Sequence, residues 1–87
     1  MASQVMTERI AVVVRGIVQG VGFRPFVSGL AAKLSLAGLV KNRTGDVLIE
    51  VEGPRSDLDR FLRGLESGPR LARIETVCCS SVPVRGE

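Results

Sequence analysis

The hydrophobic pattern begins with a strand and then changes to helical spacing. Residues 9–16 are rich in β-branched side chains, which predicts a strand buried on both faces. From Phe23 onward, apolar residues recur on one helical face, and Gly38 is the expected end of that helix. The apolar residues of this face are Phe23, Phe26, Val27, Leu30, Ala31 and Leu34.

A β-hairpin is predicted next. Residues 39–42 predict a short strand and residues 43–46 a turn. Residues 47–52 alternate between apolar and polar side chains, which predicts a strand whose outer side, with Glu50 and Glu52, is exposed to solvent.

The second half of the pattern repeats helix and strand. Gly53 and Pro54 are expected to end the hairpin strand, and Ser56 is a suitable N-cap. A second amphipathic helix follows, and residues 73–80 predict a last, weaker strand. The apolar face of that helix carries Leu58, Phe61, Leu62 and Leu65.

This order of elements predicts the fold class. The sequence β-α-β-β-α-β is typical of an α+β, ferredoxin-like domain, in which two helices pack on one face of an antiparallel sheet. With 87 residues there is room for one domain, which we place at residues 9–87 after a flexible leader at residues 1–8. The fold is used by many unrelated proteins and does not by itself indicate a function.

Composition excludes several kinds of chemistry. The chain has no His, so catalysis by a Ser-His-Asp or Cys-His arrangement is excluded. Its two cysteines, Cys78 and Cys79, are adjacent, which matches neither a disulfide framework nor a zinc cluster. We therefore predict no metal site and no cofactor, and treat both cysteines as ordinary strand residues.

Charge is distributed unevenly. Residues 9–45 contain six Lys and Arg and no Asp or Glu. This block indicates an anionic partner, although a solvated basic face explains it equally well. No apolar run is long enough for a membrane span, so a cytoplasmic protein is expected.

The glycine-punctuated residues 16–24 are the strongest candidate for a site. A strand enters this loop and a helix leaves it, an arrangement in which backbone N–H groups and the helix dipole attract an anion. Gly20 and Gly22 permit positive φ angles, and Arg24 can hold two phosphate oxygens. The run fits neither common nucleotide-binding glycine motif. A tight turn with a solvated Arg24 remains the alternative.

These residues resemble the acylphosphatase family. Residues 14–24 (VRGIVQGVGFR) look like its signature, and residues 39–42 (LVKN) followed by Gly45 look like its second block. Residues 25–27 and 69–74 resemble one branch, the N-terminal domain of HypF, the carbamoyltransferase of nickel-iron hydrogenase maturation. The resemblance implies hydrolysis of an acyl phosphate, in that branch carbamoyl phosphate.

The resemblance also implies roles for individual residues. Arg24 would bind the phosphoryl group, and Asn42 would orient the attacking water. The water proton would pass to the phosphate of the substrate, which suits a chain without His. The phosphate would also be held by the N–H groups of Gln19, Gly20, Val21, Gly22 and Phe23. Without the resemblance, Asn42 is better explained as a residue next to a turn.

Two departures from the family pattern affect the prediction. Leu39 stands where the family usually has Trp. We expect this difference to affect packing rather than chemistry. After residue 83 little chain remains for the fifth strand that acylphosphatases place at the sheet edge, so we expect a fragment of a longer protein. Its partners would then include downstream domains of the same chain and the hydrogenase-maturation protein that receives the carbamoyl group.

The sequence is also compatible with two other functions. One is a stand-alone acylphosphatase of broad specificity. The other is a non-enzymatic ferredoxin-like module that binds anions or RNA. RNA binding is disfavoured because the predicted central strands contain no aromatic side chain for base stacking.

Overall fold

Six elements follow one another in the predicted order. The computed structural model describes residues 6–69 and 72–86. Within them the chain forms β1 (Thr7–Ile17), α1 (Phe23–Lys33), β2 (Ala37–Arg43), β3 (Asp46–Pro54), α2 (Arg55–Ser67) and β4 (Arg73–Val82). The β-α-β-β-α-β order and the α+β class are therefore confirmed.

All strands pair antiparallel in one sheet. The strand order is β2-β3-β1-β4, so β1 and β3 form the centre and β2 and β4 the edges. In the register, Val12 lies opposite Ile49 of β3 and Cys79 of β4. Cys78 and Cys79 lie in a strand, as predicted, and the structure shows that they are exposed residues of edge strand β4.

The hydrophobic core lies between one face of the sheet and the two helices. Alternate residues of β1 and β3 face it, and so do the apolar stripes of α1 and α2. Its buried members include Ile10, Val12, Val14, Val47, Ile49, Phe23, Val27, Leu58, Phe61 and Leu65. All three phenylalanines belong to the helices, so β1 and β3 present no aromatic ring.

The prediction that β1 is buried on both faces is wrong. Its core-facing residues are buried, but Ala11 and Val13 on the other face are only half-buried, because the helices cover a single side of the sheet. Residues 10–14 are all β-branched or small and apolar, so the sequence does not show this alternation.

The predicted helix boundaries also need correction. Helix α1 ends at Lys33 rather than Gly38, because the chain reverses at Ser35 and buries Leu36, whose N–H donates to Ala31 O over 2.9 Å. Gly38 lies within β2.

Helix α2 starts one residue before the predicted cap. It begins at Arg55, and no side chain caps it, so Ser56 is not the N-cap. Gly53 and Pro54 do not break β3 but are its last residues. Pro54, at φ −62° and ψ 145°, is both the last residue of β3 and the N-cap of α2, so the chain passes directly from strand into helix.

The bounds predicted for the leader and for the last strand also differ from the structure. The predicted leader at residues 1–8 overlaps β1, in which Thr7 and Glu8 pair with Pro54 and Gly53, while residues 1–5 lie outside the described residues. The last strand continues to Val82 instead of ending at residue 80. Of the branch-like stretch 69–74, residues 70 and 71 lie outside the described part. No helix that the structure describes is long and apolar enough to cross a membrane.

A buried ion cluster replaces the solvated outer face expected for β3. Glu52 is buried and accepts Arg9 Nη1 at 3.1 Å, while Arg9 Nε donates to Glu50 at 2.8 Å. The backbone N–H groups of Arg85 and Gly86 donate to the Glu52 carboxylate at 2.7 and 3.0 Å. These N–H groups, the one of Arg85 above all, and the Arg9 guanidinium lower the pKa of Glu52. Glu52 thus connects the C-terminal segment to the centre of the sheet.

We predict that Gly16→Ala destabilises the fold. Gly16 lies at a register irregularity between β1 and β4, with φ +137°, and a Cβ there would overlap the carbonyl oxygen of Arg73. We expect the clash and the backbone strain to lower the free energy of unfolding by at least about 2 kcal/mol, measured by urea denaturation. The control is Gly29→Ala, in open space within α1, which leaves stability equal or raises it by about 0.5–1 kcal/mol. Equal effects of the two substitutions would contradict this packing.

We also predict that Glu52 makes stability depend on pH in the acid range. Its pKa is lowered in the folded state, so its contribution is fully present above the unfolded pKa, near 4.5, and is lost as pH falls through the lower folded pKa. Glu52→Gln is therefore less stable than the wild type at pH 7, and the difference narrows as pH falls. Glu66→Gln, at an exposed position of α2, keeps the wild-type pH dependence. Thermal unfolding between pH 3 and 7 measures the Tm of each protein. If Tm changed with pH in parallel for Glu52→Gln and the wild type, the prediction would be contradicted.

Candidate active site

The loop between β1 and α1 is held by buried residues at both ends. Val18, just after β1, is 2% exposed, and Phe23, the first residue of α1, is 1% exposed. Between them Gln19, Gly20 and Gly22 are exposed. Because its ends are packed into the core, the loop has a fixed position at this end of the sheet.

The two glycines of the loop adopt left-handed conformations. Gly20 has φ 75°, and Gly22, the N-cap of α1, has φ 81° and ψ 16°. A Cβ at either position would meet no atom within 4 Å, so glycine is needed here for its backbone angles. Within the described residues, no N–H from Gln19 to Arg24 has a backbone acceptor. The loop therefore presents several unpaired donors beside a helix N-terminus, which favours an anion.

Arg24 lies in the first turn of α1 and is exposed. In the described part of the chain it has no carboxylate partner, whereas three other arginines of the acid-free block do. Arg9 is buried with Glu50 and Glu52, and Arg15 and Arg43 lie beside Asp46. The basic block is therefore not one continuous charged face, and Arg24 is the arginine that remains available at the loop.

Asn42, in the β2–β3 hairpin, lies close to the β1–α1 loop and Arg24. It lies in β2 opposite Val47, whose side chain faces the core, so Asn42 lies on the helix side of the sheet. A cavity of about 200 Å³ brings together the loop, the start of α1 and this strand. Its lining residues are Val18, Gln19, Gly20, Gly22, Phe23, Arg24, Pro25 and Asn42. Of the predicted site residues, only Val21 is not part of this lining, because it packs against the core.

The side chain of Gln19 has a contact that the sequence did not indicate. Its Nε2 donates to Arg43 O at 2.6 Å and to Asp46 O at 2.9 Å. The amide thereby links the loop to the turn between β2 and β3. The sequence does not predict this contact, because its acceptors lie 24 and 27 positions away from Gln19.

The turn itself is held by an ion pair. Arg43 Nε and Nη2 donate to the two carboxylate oxygens of Asp46 at 2.7 and 2.9 Å, and Arg15 Nε lies 3.8 Å from the same carboxylate. The hydrogen bonds from Arg43 hold the pKa of Asp46 below its ordinary value. The Asp46 carboxylate is thus compensated by two arginine side chains.

A second cavity of about 200 Å³ lies between α1 and β2. Its lining includes Val27, Ala31, Leu36, Val40 and Ile49 and contains no charged side chain. This second cavity has no charged side chain that could bind an anion, in contrast to the cavity lined by Arg24.

Comparison with known proteins identifies the family. Residues 10–87 match the family model described as acylphosphatase. This chain belongs to the acylphosphatase family. It is 46% identical over 70 residues to an acylphosphatase from Thermus thermophilus, covering 79% of this chain and 80% of that protein.

Longer proteins are similar over a small part of their length. Carbamoyltransferase HypF2 from Cupriavidus necator is 44% identical over 85 residues, which is 92% of this chain but 10% of that protein. A crystal structure of full-length HypF in the phosphate- and nucleotide-bound form superposes with a TM-score of 0.94 at 36% identity, over 99% of this chain and 12% of that chain. Acylphosphatase family relatives are therefore both small hydrolases and domains of large proteins.

We predict that inorganic phosphate stabilises the protein through Arg24. A ligand that binds only the folded state, at a concentration of about 100 times its Kd, adds about 2.7 kcal/mol to the free energy of unfolding. This raises the Tm. Arg24→Ala removes most of this rise because the charged donor is lost. Arg60→Ala, an exposed arginine of α2 outside the cavity, removes the same charge and keeps the rise. An equal loss in both variants would indicate a nonspecific salt effect.

Proposed function

We propose that this chain hydrolyses acyl phosphates without a metal ion. The observation that supports this most directly is the shared cavity. Arg24, Asn42 and the unpaired N–H groups of the β1–α1 loop line one space at the end of the sheet. A bound phosphoryl group there meets positive charge and fixed donors on one side and a polar amide on the other.

The proposed reaction needs no group that titrates near neutrality. Arg24 and the loop N–H groups bind the phosphoryl oxygens, and Asn42 orients a water molecule toward phosphorus. The water oxygen forms a bond to phosphorus, and the bond between phosphorus and the acyl oxygen breaks. A water proton passes to a phosphate oxygen, and the acyl group leaves as a carboxylate. Because this leaving group is stable as an anion, positioning and charge stabilisation suffice.

We further propose that the acyl phosphate is carbamoyl phosphate and that the chain acts as the N-terminal domain of a hydrogenase-maturation carbamoyltransferase in the cytoplasm. The similarity to HypF2 over 92% of this chain supports this assignment. Its partners are then the downstream domains and the protein that receives the carbamoyl group. The similarity to a Thermus thermophilus acylphosphatase, covering 80% of that protein, favours the second candidate, a stand-alone enzyme of broad specificity.

Hydrolysis of acetyl phosphate in the presence of a chelator tests the activity. We expect Arg24→Ala to lower kcat/KM by about 10³-fold, because both binding and stabilisation of the transition state are lost. Asn42→Ala is expected to lower kcat by about 10²-fold or more while inhibition by phosphate changes little, because the amide acts on the water.

Arg60→Ala is the matched control and keeps wild-type rates. Wild-type rates in both Arg24→Ala and Asn42→Ala would show that the site is wrong. Loss of wild-type activity on chelation would overturn metal independence.

The substrate and the domain assignment are tested separately. A kcat/KM for carbamoyl phosphate well above those for acetyl and benzoyl phosphate supports the carbamoyltransferase assignment, and equal values support the broad-specificity enzyme. A natural reading frame of several hundred residues with C-x-x-C pairs downstream supports the former as well. A stop codon directly after residue 87 would overturn it.

A further inference from the structure

We propose that the side chain of Gln19 is a positioning residue that sets Asn42 in register with the phosphate-binding loop. The proposal rests on the acylphosphatase function proposed above. It concerns the carboxamide of Gln19 and is separate from the role of its backbone N–H in holding phosphate.

The geometry of the contact is specific. Gln19 Nε2 donates both of its hydrogens, one to Arg43 O at 2.6 Å and one to Asp46 O at 2.9 Å. Both partners are carbonyl oxygens, so the amide nitrogen and not its oxygen faces the turn. The side chain therefore bridges the two residues at which β2 ends and β3 begins.

The sheet relates Asn42 to the loop only indirectly, through β3, because Val47 pairs with both Val14 and Asn42. The loop continues β1, and Asn42 lies in β2, but β3 lies between these strands. No ladder of hydrogen bonds runs directly from β1 to β2. The two bonds from Gln19 connect these two parts of the site across β3.

The turn that receives these two bonds is closed by an ion pair. The bidentate ion pair between Arg43 and Asp46 closes the turn whose carbonyl groups receive Gln19. Arg43 also directly follows Asn42 in the chain. A displacement of the Arg43 carbonyl therefore displaces Asn42, and Gln19 opposes such a displacement.

This arrangement separates the effect on catalysis from the effect on binding. The phosphoryl group is held by Arg24 and the loop, which keep their buried anchors Val18 and Phe23 without the Gln19 side chain. The water position depends on Asn42. A displacement of about 1 Å between reacting groups costs as much as 10²-fold in rate.

The first test is a double-mutant cycle between Gln19 and Asn42. We expect Gln19→Ala to lower kcat by about 10- to 100-fold while the inhibition constant of inorganic phosphate stays within about twofold. In the Asn42→Ala background, Gln19→Ala lowers kcat by less than about twofold, because the group that it positions is gone. Circular dichroism at the assay temperature establishes that all four proteins are folded.

Three results would overturn the proposal. Equal losses from Gln19→Ala in both backgrounds would show that its effect does not act through Asn42. A parallel loss of phosphate binding would show a general disturbance of the loop. A wild-type protein that binds phosphate but hydrolyses no acyl phosphate would overturn the proposed function, and the positioning role with it.

The second test replaces the donor by a group of the same size. In Gln19→Glu, the carboxylate faces the carbonyl oxygens of Arg43 and Asp46 and cannot donate, whereas the protonated acid can donate one hydrogen bond. The charged groups around this position are the ion-paired Arg43 and Asp46 side chains, Arg15 and Arg24. We expect the kcat of Gln19→Glu relative to wild type to rise several-fold from pH 8 to pH 5. A constant ratio would contradict the donor role.

Discussion

The position of the β1–α1 loop is the constraint on which the rest of the site depends. Val18 and Phe23 are buried at its two ends, and between them Gly20 and Gly22 adopt left-handed conformations. Without these buried ends, the donors would lose their fixed direction, and preorganised donors are what stabilises a developing charge. The hydrophobic core therefore contributes to the site directly.

The second half of the site belongs to an element that is distant in sequence and separated in the sheet. Asn42 comes to the loop because β2 pairs with β3 in a register that turns it to the helix side. Gln19 then connects loop and turn by two hydrogen bonds. In the proposed reaction, a small domain without His thus combines charge stabilisation and water orientation without a titrating base.

Local features of the sequence predicted much of this arrangement. The helical stripe from Phe23, the alternation in β3 and the positive φ angles of Gly20 and Gly22 are determined by near neighbours, and the structure agrees. The location of Arg24 at the loop and of Asn42 beside the turn also followed from the sequence. The catalytic roles of both residues came from the resemblance to the family and remain predictions.

Features that depend on distant partners could not be predicted. Glu52 has the polar alternation of a solvated residue, but it is buried because Arg9 and the N–H groups of Arg85 and Gly86 surround it. Likewise, Ser56 is a favourable capping residue by type but is not the N-cap, because Pro54 already directs the chain into the helix. The Gln19 contacts depend on how three strands are ordered in the sheet, which residue spacing does not show.

In the proposed reaction, water attacks phosphorus in the cavity formed by the loop, Arg24 and Asn42. Hydrolysis of acetyl phosphate in water labelled with ¹⁸O tests it most directly, with ³¹P NMR and mass spectrometry locating the label. Attack at phosphorus predicts one ¹⁸O in the released phosphate and none in the acetate. Label in the acetate would mean attack at the carbonyl carbon and would contradict the proposed roles of Arg24 and Asn42.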